Sequence, residues 1–145
     1  MSNAQSGLTI MRRDLDSIMR QGKAELPSEC CGLMIGRREG ERCVCHHIRP
    51  TGNADKSPYS FTIAPEELLK GYRHADDVSM ELVGIYHTHP ARPFPSSVDL
   101  GFMKWSAPVW LIVSSLNWAY AAYVLEGGRP VKVNVTLVQP SFYRQ

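Results

Sequence analysis

The chain has 145 residues, 43% of them hydrophobic, and a formal net charge of +2, which is one domain's worth of sequence with enough apolar content for a core. So mild a charge argues against a nucleic-acid partner, with Arg12-Arg13, Arg37-Arg38 and Arg42 scattered as ordinary solvated surface. No apolar stretch approaches the roughly 20 residues that span a bilayer, and the N-terminus lacks a basic region followed by an apolar one, so the expectation is a soluble, cytoplasmic protein with no membrane partner. Ser2-Asn3-Ala4 reads as an expression scar; residues 1–7 are set aside, leaving one domain over 8–145.

Leu15, Ile18 and Met19 recur at helical spacing with charges between them, predicting an amphipathic helix over about 12–24 that Pro27 terminates. Ser28 and Glu29 follow, then the apolar run Cys31-Gly32-Leu33-Met34-Ile35-Gly36, a central strand that places Glu29 at its mouth. By itself, an acidic residue after Pro-Ser is a solvated turn residue. The turn 37–41 leads into a strand over 42–49, completing a β-hairpin. Neighbours on a strand point to opposite faces, so neither Cys30 with Cys31 nor His46 with His47 converges on one ion. Without a C-x-x-C or a secretion signal, the four cysteines are expected as small, partly buried thiols.

After a polar turn over 53–58, Tyr59-Ser60-Phe61-Thr62-Ile63 alternates as a third strand. Pro65 at a first helical position, Glu66 and Glu67 behind it, and Leu68, Leu69 and Tyr72 as a buried stripe predict a helix over about 65–75, with His74 as a surface residue. The run Leu82-Val83-Gly84-Ile85-Tyr86 then reads as a buried strand, and His87-Thr88-His89-Pro90 follows directly. His87 and His89 are two residues apart and share one face at the strand end, so two imidazoles can converge on one metal ion. Pro93 and Pro95 stiffen the next loop, and Ser96 or Ser97 caps a helix over about 98–105 with Asp99 in its first turn, where the helix dipole favours a carboxylate. A strand end with two His and a helix start with one Asp make a three-ligand zinc site with one position left for water. Pro108 breaks the chain before a buried strand over 109–114, a strand over 118–126, a hairpin at Gly127-Gly128 and a last strand over 131–138. Trp105, Trp110 and Trp118 are expected in the core or at its rim. The order α-β-β-β-α-β-α-β-β-β is that of an α+β or mixed α/β domain.

H-x-H, a proline-containing loop and S-x-x-D, preceded by Glu29-Cys30-Cys31-Gly32-Leu33, together resemble the JAMM (MPN+) zinc isopeptidases, over most of the chain from about Leu8 onward. The small size resembles the prokaryotic members. Six residues separate His89 from Ser96, a loop one residue shorter than the family's usual one. The resemblance implies a cytidine-deaminase-like domain whose central, largely antiparallel β-sheet is flanked by helices. It implies one zinc per chain on His87, His89 and Asp99, with Glu29 as general base and Ser96 as the donor toward the developing oxyanion; Ser97 is the competing assignment. It further implies a substrate, the C-terminal tail of a ubiquitin-like or sulfur-carrier protein, cut at a peptide or isopeptide bond and held by strand addition beside the zinc. The alternative is a non-catalytic interaction module with at most structural zinc, and a related domain of DNA-repair-associated proteins shares the H-x-H-P and S-x-x-D pattern. Nothing in the sequence fixes the oligomeric state; exposed edge strands leave a homodimer open.

Overall fold

The structure is a computed structural model, and it describes residues 7–139. The element order is β1 (Gly7–Met11), α1 (Arg12–Glu25), β2 (Cys31–Glu39), β3 (Arg42–Thr51), α2 (Pro65–Asp77), β4 (Glu81–His89), α3 (Ser97–Met103), β5 (Val109–Ser114), β6 (Tyr120–Glu126) and β7 (Arg129–Val138). The chain is a single α+β domain, and none of its described helices is long and apolar enough to cross a membrane.

The strands close into a ring in the order β1-β3-β2-β4-β5-β6-β7. The pairing is mixed: β1 runs parallel to both β3 and β7, and β4 runs parallel to β5, while the remaining four pairs are antiparallel. Closure depends on β1, a strand absent from the expected order, whose Leu8 and Ile10 are fully buried. The segment set aside at the N-terminus overlaps β1 at Gly7; the rest of it, including Ser2-Asn3-Ala4, lies outside the described residues. A ring has no outermost strand, which corrects the expectation of exposed edge strands open to a second chain.

Helices cover the strands on both faces, which is why β2, β4 and β5 read as nearly unbroken apolar runs. Met34, Tyr86, Leu111 and Val113 pack with Leu15 and Ile18 of α1. Leu33, Ile35, Ile85, Trp110 and Ile112 pack with Ala75 of α2 and Met103 of α3. All four cysteines are buried, and burial pushes Cys31 up to about 11 and Cys30 and Cys45 up to about 12, so they are inert thiols in the core.

Two further expectations are corrected. Tyr59 to Ile63 is not a strand: its backbone groups find partners in a side chain, with Asn53 Nδ2 donating to the Ser60 carbonyl and Thr62 N–H donating to Asn53 Oδ1, while Ala54 N–H donates to the Thr62 carbonyl. The strand expected from Trp118 begins at Tyr120, because Trp118 sits in the left-handed region at φ 64° and forms part of the turn.

Glycines set the local tolerance of the ring. A Cβ on Gly36, at the register shift between β2 and β3, would run into the Val44 carbonyl oxygen, a backbone atom that cannot swing away. Gly101, inside α3, has nothing within 4 Å of such a Cβ. Gly36→Ala is therefore expected to lower the unfolding free energy by about 1–3 kcal/mol, and Gly101→Ala to raise it by about 0.5–1 kcal/mol, both read from urea titrations of the full chain.

Candidate metal and catalytic site

Strand register assembles the candidate residues. Cys31 of β2 stands opposite His87 on one side of β4, and Ile112 of β5 stands opposite it on the other. Just beyond the β2–β4 ladder, Thr88 N–H donates to the Cys30 carbonyl at 3.0 Å and Cys30 N–H donates to Thr88 Oγ1 at 2.8 Å. This double clamp fixes the residue before Cys30, and Glu29 Oε1 comes to 3.3 Å from His87 Nδ1. Glu29 is held from the other side as well: its N–H donates to the Ser57 carbonyl at 2.8 Å, and its own carbonyl accepts Asn53 Nδ2 at 3.0 Å. The carboxylate expected from the Pro-Ser context as a solvated turn group is only 4% exposed.

Asp99 reaches the same ring from α3. Ser96 is the helix cap: its Oγ accepts Asp99 N–H at 3.1 Å, and Asp99 Oδ2 accepts Ser96 N–H at 2.9 Å, a reciprocal capping box. That same Oδ2 lies 3.3 Å from His87 Nε2. The loop between His89 and Ser96 is tied to β6, where Tyr123 Oη donates to the Pro93 carbonyl at 2.8 Å and the Tyr123 ring meets Phe94 edge-on at 5.5 Å. Phe61, turned inward by the folded segment after Asn53, stacks on His87 at 4.5 Å, and Trp110 meets the ring edge-on at 5.7 Å.

His87 is thus fully buried with a carboxylate on each side. Burial works against a charged ring, but the carboxylates of Asp99 and Glu29 outweigh it and raise His87 to about 9. Burial likewise pushes the Asp99 carboxyl up, and its contacts with His87 and Ser96 overcome that and hold it below the ordinary carboxylate value. The arrangement demands positive charge between the two acids.

The tautomers fit a metal. A carbonyl oxygen only accepts, so His87 Nδ1 donates to the Thr88 carbonyl at 3.0 Å and His89 Nδ1 donates to the Arg92 carbonyl at 3.3 Å. Each ring is thereby left with Nε2 for another partner, the second-shell pattern of metal-binding histidines. His87 Nε2 is buried with no hydrogen bond, facing the Asp99 carboxylate. A dication beside Nε2 would supply the positive charge that the two carboxylates require, and one carboxylate with two imidazoles is a donor set suited to zinc. The rings of His87 and His89 are 5.9 Å apart, and no three His, Cys, Asp or Glu side chains among the described residues already stand as a metal-holding group.

All five residues singled out in the sequence, Glu29, His87, His89, Ser96 and Asp99, lie in this one region, with Glu29, His87 and Asp99 buried and His89 and Ser96 partly so. Three others were missed. Thr88 was passed over as the residue between two histidines, although a β-branched hydroxyl inside a buried strand needs a hydrogen-bond partner. Asn53 carried the signal of a turn-forming amide, and Phe61 was placed on a strand that does not exist.

Comparison with known proteins places the chain in a family. The family model described as prokaryotic homologs of the JAB domain matches residues 11–125. The desampylase of Pyrococcus furiosus is 39% identical over 98 residues, 67% of this chain and 66% of that protein. The CysO-cysteine peptidase of Mycobacterium tuberculosis is 32% identical over 93 residues, 63% of this chain and 62% of that one. The chain thus spans less than two thirds of the length of these relatives. A solution structure from Desulfitobacterium hafniense superposes with a TM-score of 0.81 at 24% identity, covering 94% of this chain and 97% of the other. A crystal structure of a JAB1/MPN domain protein from Archaeoglobus fulgidus gives 0.58 at 19% identity, over 92% and 99%. These two likenesses speak for the fold alone, and the family match carries the assignment: the chain belongs to the JAB (JAMM/MPN) family, among its small prokaryotic members.

Proposed function

We propose that the chain is a zinc-dependent hydrolase that cuts a peptide or isopeptide bond after the C-terminal tail of a ubiquitin-like or sulfur-carrier protein, within one domain over 8–145. The observation that carries this reading is the buried His87 ring, 3.3 Å from a carboxylate on each side, with Nδ1 committed to a carbonyl and Nε2 left without a hydrogen bond. The names of two relatives, a desampylase and a CysO-cysteine peptidase, support the substrate class.

In this reading His87, His89 and Asp99 hold one zinc. Zinc in such a site lowers the pKa of a bound water to ~7 and polarises a carbonyl. Glu29 accepts the proton of the attacking water and hands it to the departing nitrogen, so its carboxylate ends the cycle ionised as it began. Both backbone groups of Glu29 are hydrogen-bonded, which limits the carboxylate to side-chain motion. Ser96 Oγ accepts the Asp99 N–H and keeps its own proton to donate to the carbonyl oxygen as charge develops there. Strand addition of the tail onto β4 has no edge to use at the level of His87, since Cys31 and Ile112 occupy both sides. A second reading is a non-catalytic interaction module of the same fold with at most structural zinc.

Cleavage assays beside elemental analysis separate the two. About one zinc per chain is expected in the wild type, retained in Glu29→Gln and lost or weakened in Asp99→Ala, with cleavage of ubiquitin-like conjugates abolished in Glu29→Gln. Wild-type protein that takes up no zinc on reconstitution would overturn the hydrolase reading. Ser96→Ala is expected to slow cleavage roughly 100- to 1,000-fold and to lower stability by about 1 kcal/mol through loss of the cap; Ser97→Ala should do neither, and kinetics of the pair with the order reversed would move the donor role to Ser97. Thr88→Val leaves the Cys30 N–H buried without its acceptor, at about 1–3 kcal/mol of stability. It should lower kcat more than it raises KM, with zinc content unchanged and Thr88→Ser restoring most of the loss. A normal kcat in Thr88→Val would deny Thr88 any part in positioning Glu29.

A further inference from the structure

An apolar pocket of about 200 Å³ opens beside the candidate site, between α3, the segment leading into α2 and the outer face of β4 and β5. Its buried floor is Phe61, Ile85 and Trp110, and two of these rings pack directly on His87. Leu68, Phe102 and Trp105 stand toward its mouth. Phe102 is 51% exposed and Trp105 88% exposed, large apolar groups left in water at the opening of an apolar hollow. Asp99 in the first turn of α3 is buried at the site and Phe102, one turn on, is half exposed at the pocket, so the site and the pocket share α3 as a common wall.

The chemistry of the lining restricts the ligand. No charged side chain among the described residues lines the pocket, and the Trp110 indole N–H is already donated to Ser106 Oγ at 2.7 Å. A polar group seated here would give up water for little in return, whereas an apolar group gains by burial. An engineered apolar cavity of about 150 Å³ takes up benzene, so a hollow of about 200 Å³ is large enough for one leucine or phenylalanine side chain. A group seated on Phe61 is separated from His87 by the thickness of one ring. The pocket thus lies within reach of a molecule handled at the site.

We propose that this pocket is a specificity subsite that receives one bulky apolar side chain, leucine- or phenylalanine-sized, of the protein substrate, close in sequence to the bond that is cut. The assignment rests on the hydrolase reading above. Binding energy from such a side chain is spent on orientation, fixing the polypeptide over His87 and Glu29.

Two measurements on the full chain test it, with Leu68→Trp to fill the pocket and Phe102→Asp to place a charge at its mouth. First, toluene is titrated into methyl-labelled protein. Saturating shifts at the methyl groups of Ile63, Leu68 and Ile85, weakened in Phe102→Asp and with those of Ile63 and Ile85 abolished in Leu68→Trp, are expected. Methyl groups that do not respond, or that respond equally in both variants, overturn the pocket as a binding site. Shifts produced by raising protein concentration alone mean that a second copy fills it, and also overturn the proposal. Second, the zinc-loaded protein is given tail peptides bearing Leu, Phe, Ala or Asp at successive positions beside the scissile bond. At one position Leu or Phe is expected to exceed Ala about tenfold in kcat/KM, and both variants should lose that preference, the Leu-to-Ala ratio being read within each variant. Equal rates for all four peptides, or a preference that both variants keep, overturn the subsite. If no tail is cut at all, the hydrolase reading fails and the subsite with it, while the toluene titration still decides whether the pocket admits an apolar ring.

Discussion

Two hydrogen bonds between Thr88 and Cys30 join parts of the chain 58 residues apart, and the chemistry of the site depends on them. The β2–β4 ladder alone would deliver the chain to the level of Cys31 and His87 and leave the turn before it free. The clamp extends the pairing by one residue through a side chain, and this delivers Glu29 to the histidine ring. Asn53 completes the work from the other side, using its amide nitrogen on the Glu29 and Ser60 carbonyls and its oxygen on the Asp55 and Thr62 N–H groups. A carboxylate on a short turn thereby acquires the fixity of a core residue.

What the clamp brings together is electrostatically expensive. A fully buried imidazole between two largely buried carboxylates carries a desolvation cost of several kcal/mol per ion, which only close and well-aligned partners offset. Phe61 and Trp110 keep water from the ring and so strengthen every charge interaction around it. The short helix α3 is committed to the same point, because Asp99 Oδ2 both closes the capping box and faces His87. One atom thus serves both the capping box and the candidate ligand position, so the start of α3 cannot drift without disturbing the site.

Much of this was legible in the sequence, for physical reasons that differ between elements. The helix α1 and the strands β2, β4 and β5 announce themselves through local periodicity, and α2 through Pro65 at its start, although its expected stripe is wrong: Leu69 and Tyr72 are about half exposed, and Gly71 and Ala75 are buried instead. His87, His89 and Asp99 were legible because the distance from a strand end to the next helix start is short enough to reason about directly. Glu29 was not: nothing local distinguishes it from a solvated acid, and only the resemblance singled it out. The segment 59–63 was misread because alternation of side chains does not say where backbone hydrogen bonds go, and here a single asparagine takes them. β1 was missed for the opposite reason, since its partners β3 and β7 are far along the chain and pairing between distant segments leaves no trace in either one alone.

The seam at β1 has a consequence for how the molecule is made. Gly7 to Met11 lie in register with Asn134 to Val138, more than a hundred residues later, and in parallel. On a ribosome the first strand therefore emerges long before its second neighbour exists, with only β3 available to hold it. Such distant pairing has the largest loop-closure entropy in the molecule and forms late. Until β7 arrives, the growing chain displays a nearly complete curved sheet with two open rims, one on each side of the missing strand. The ring that leaves the described sheet without an outermost strand thus makes its nascent form dependent on β7, and a ribosome that stalls before β7 is made releases a sheet ready to pair with its neighbours.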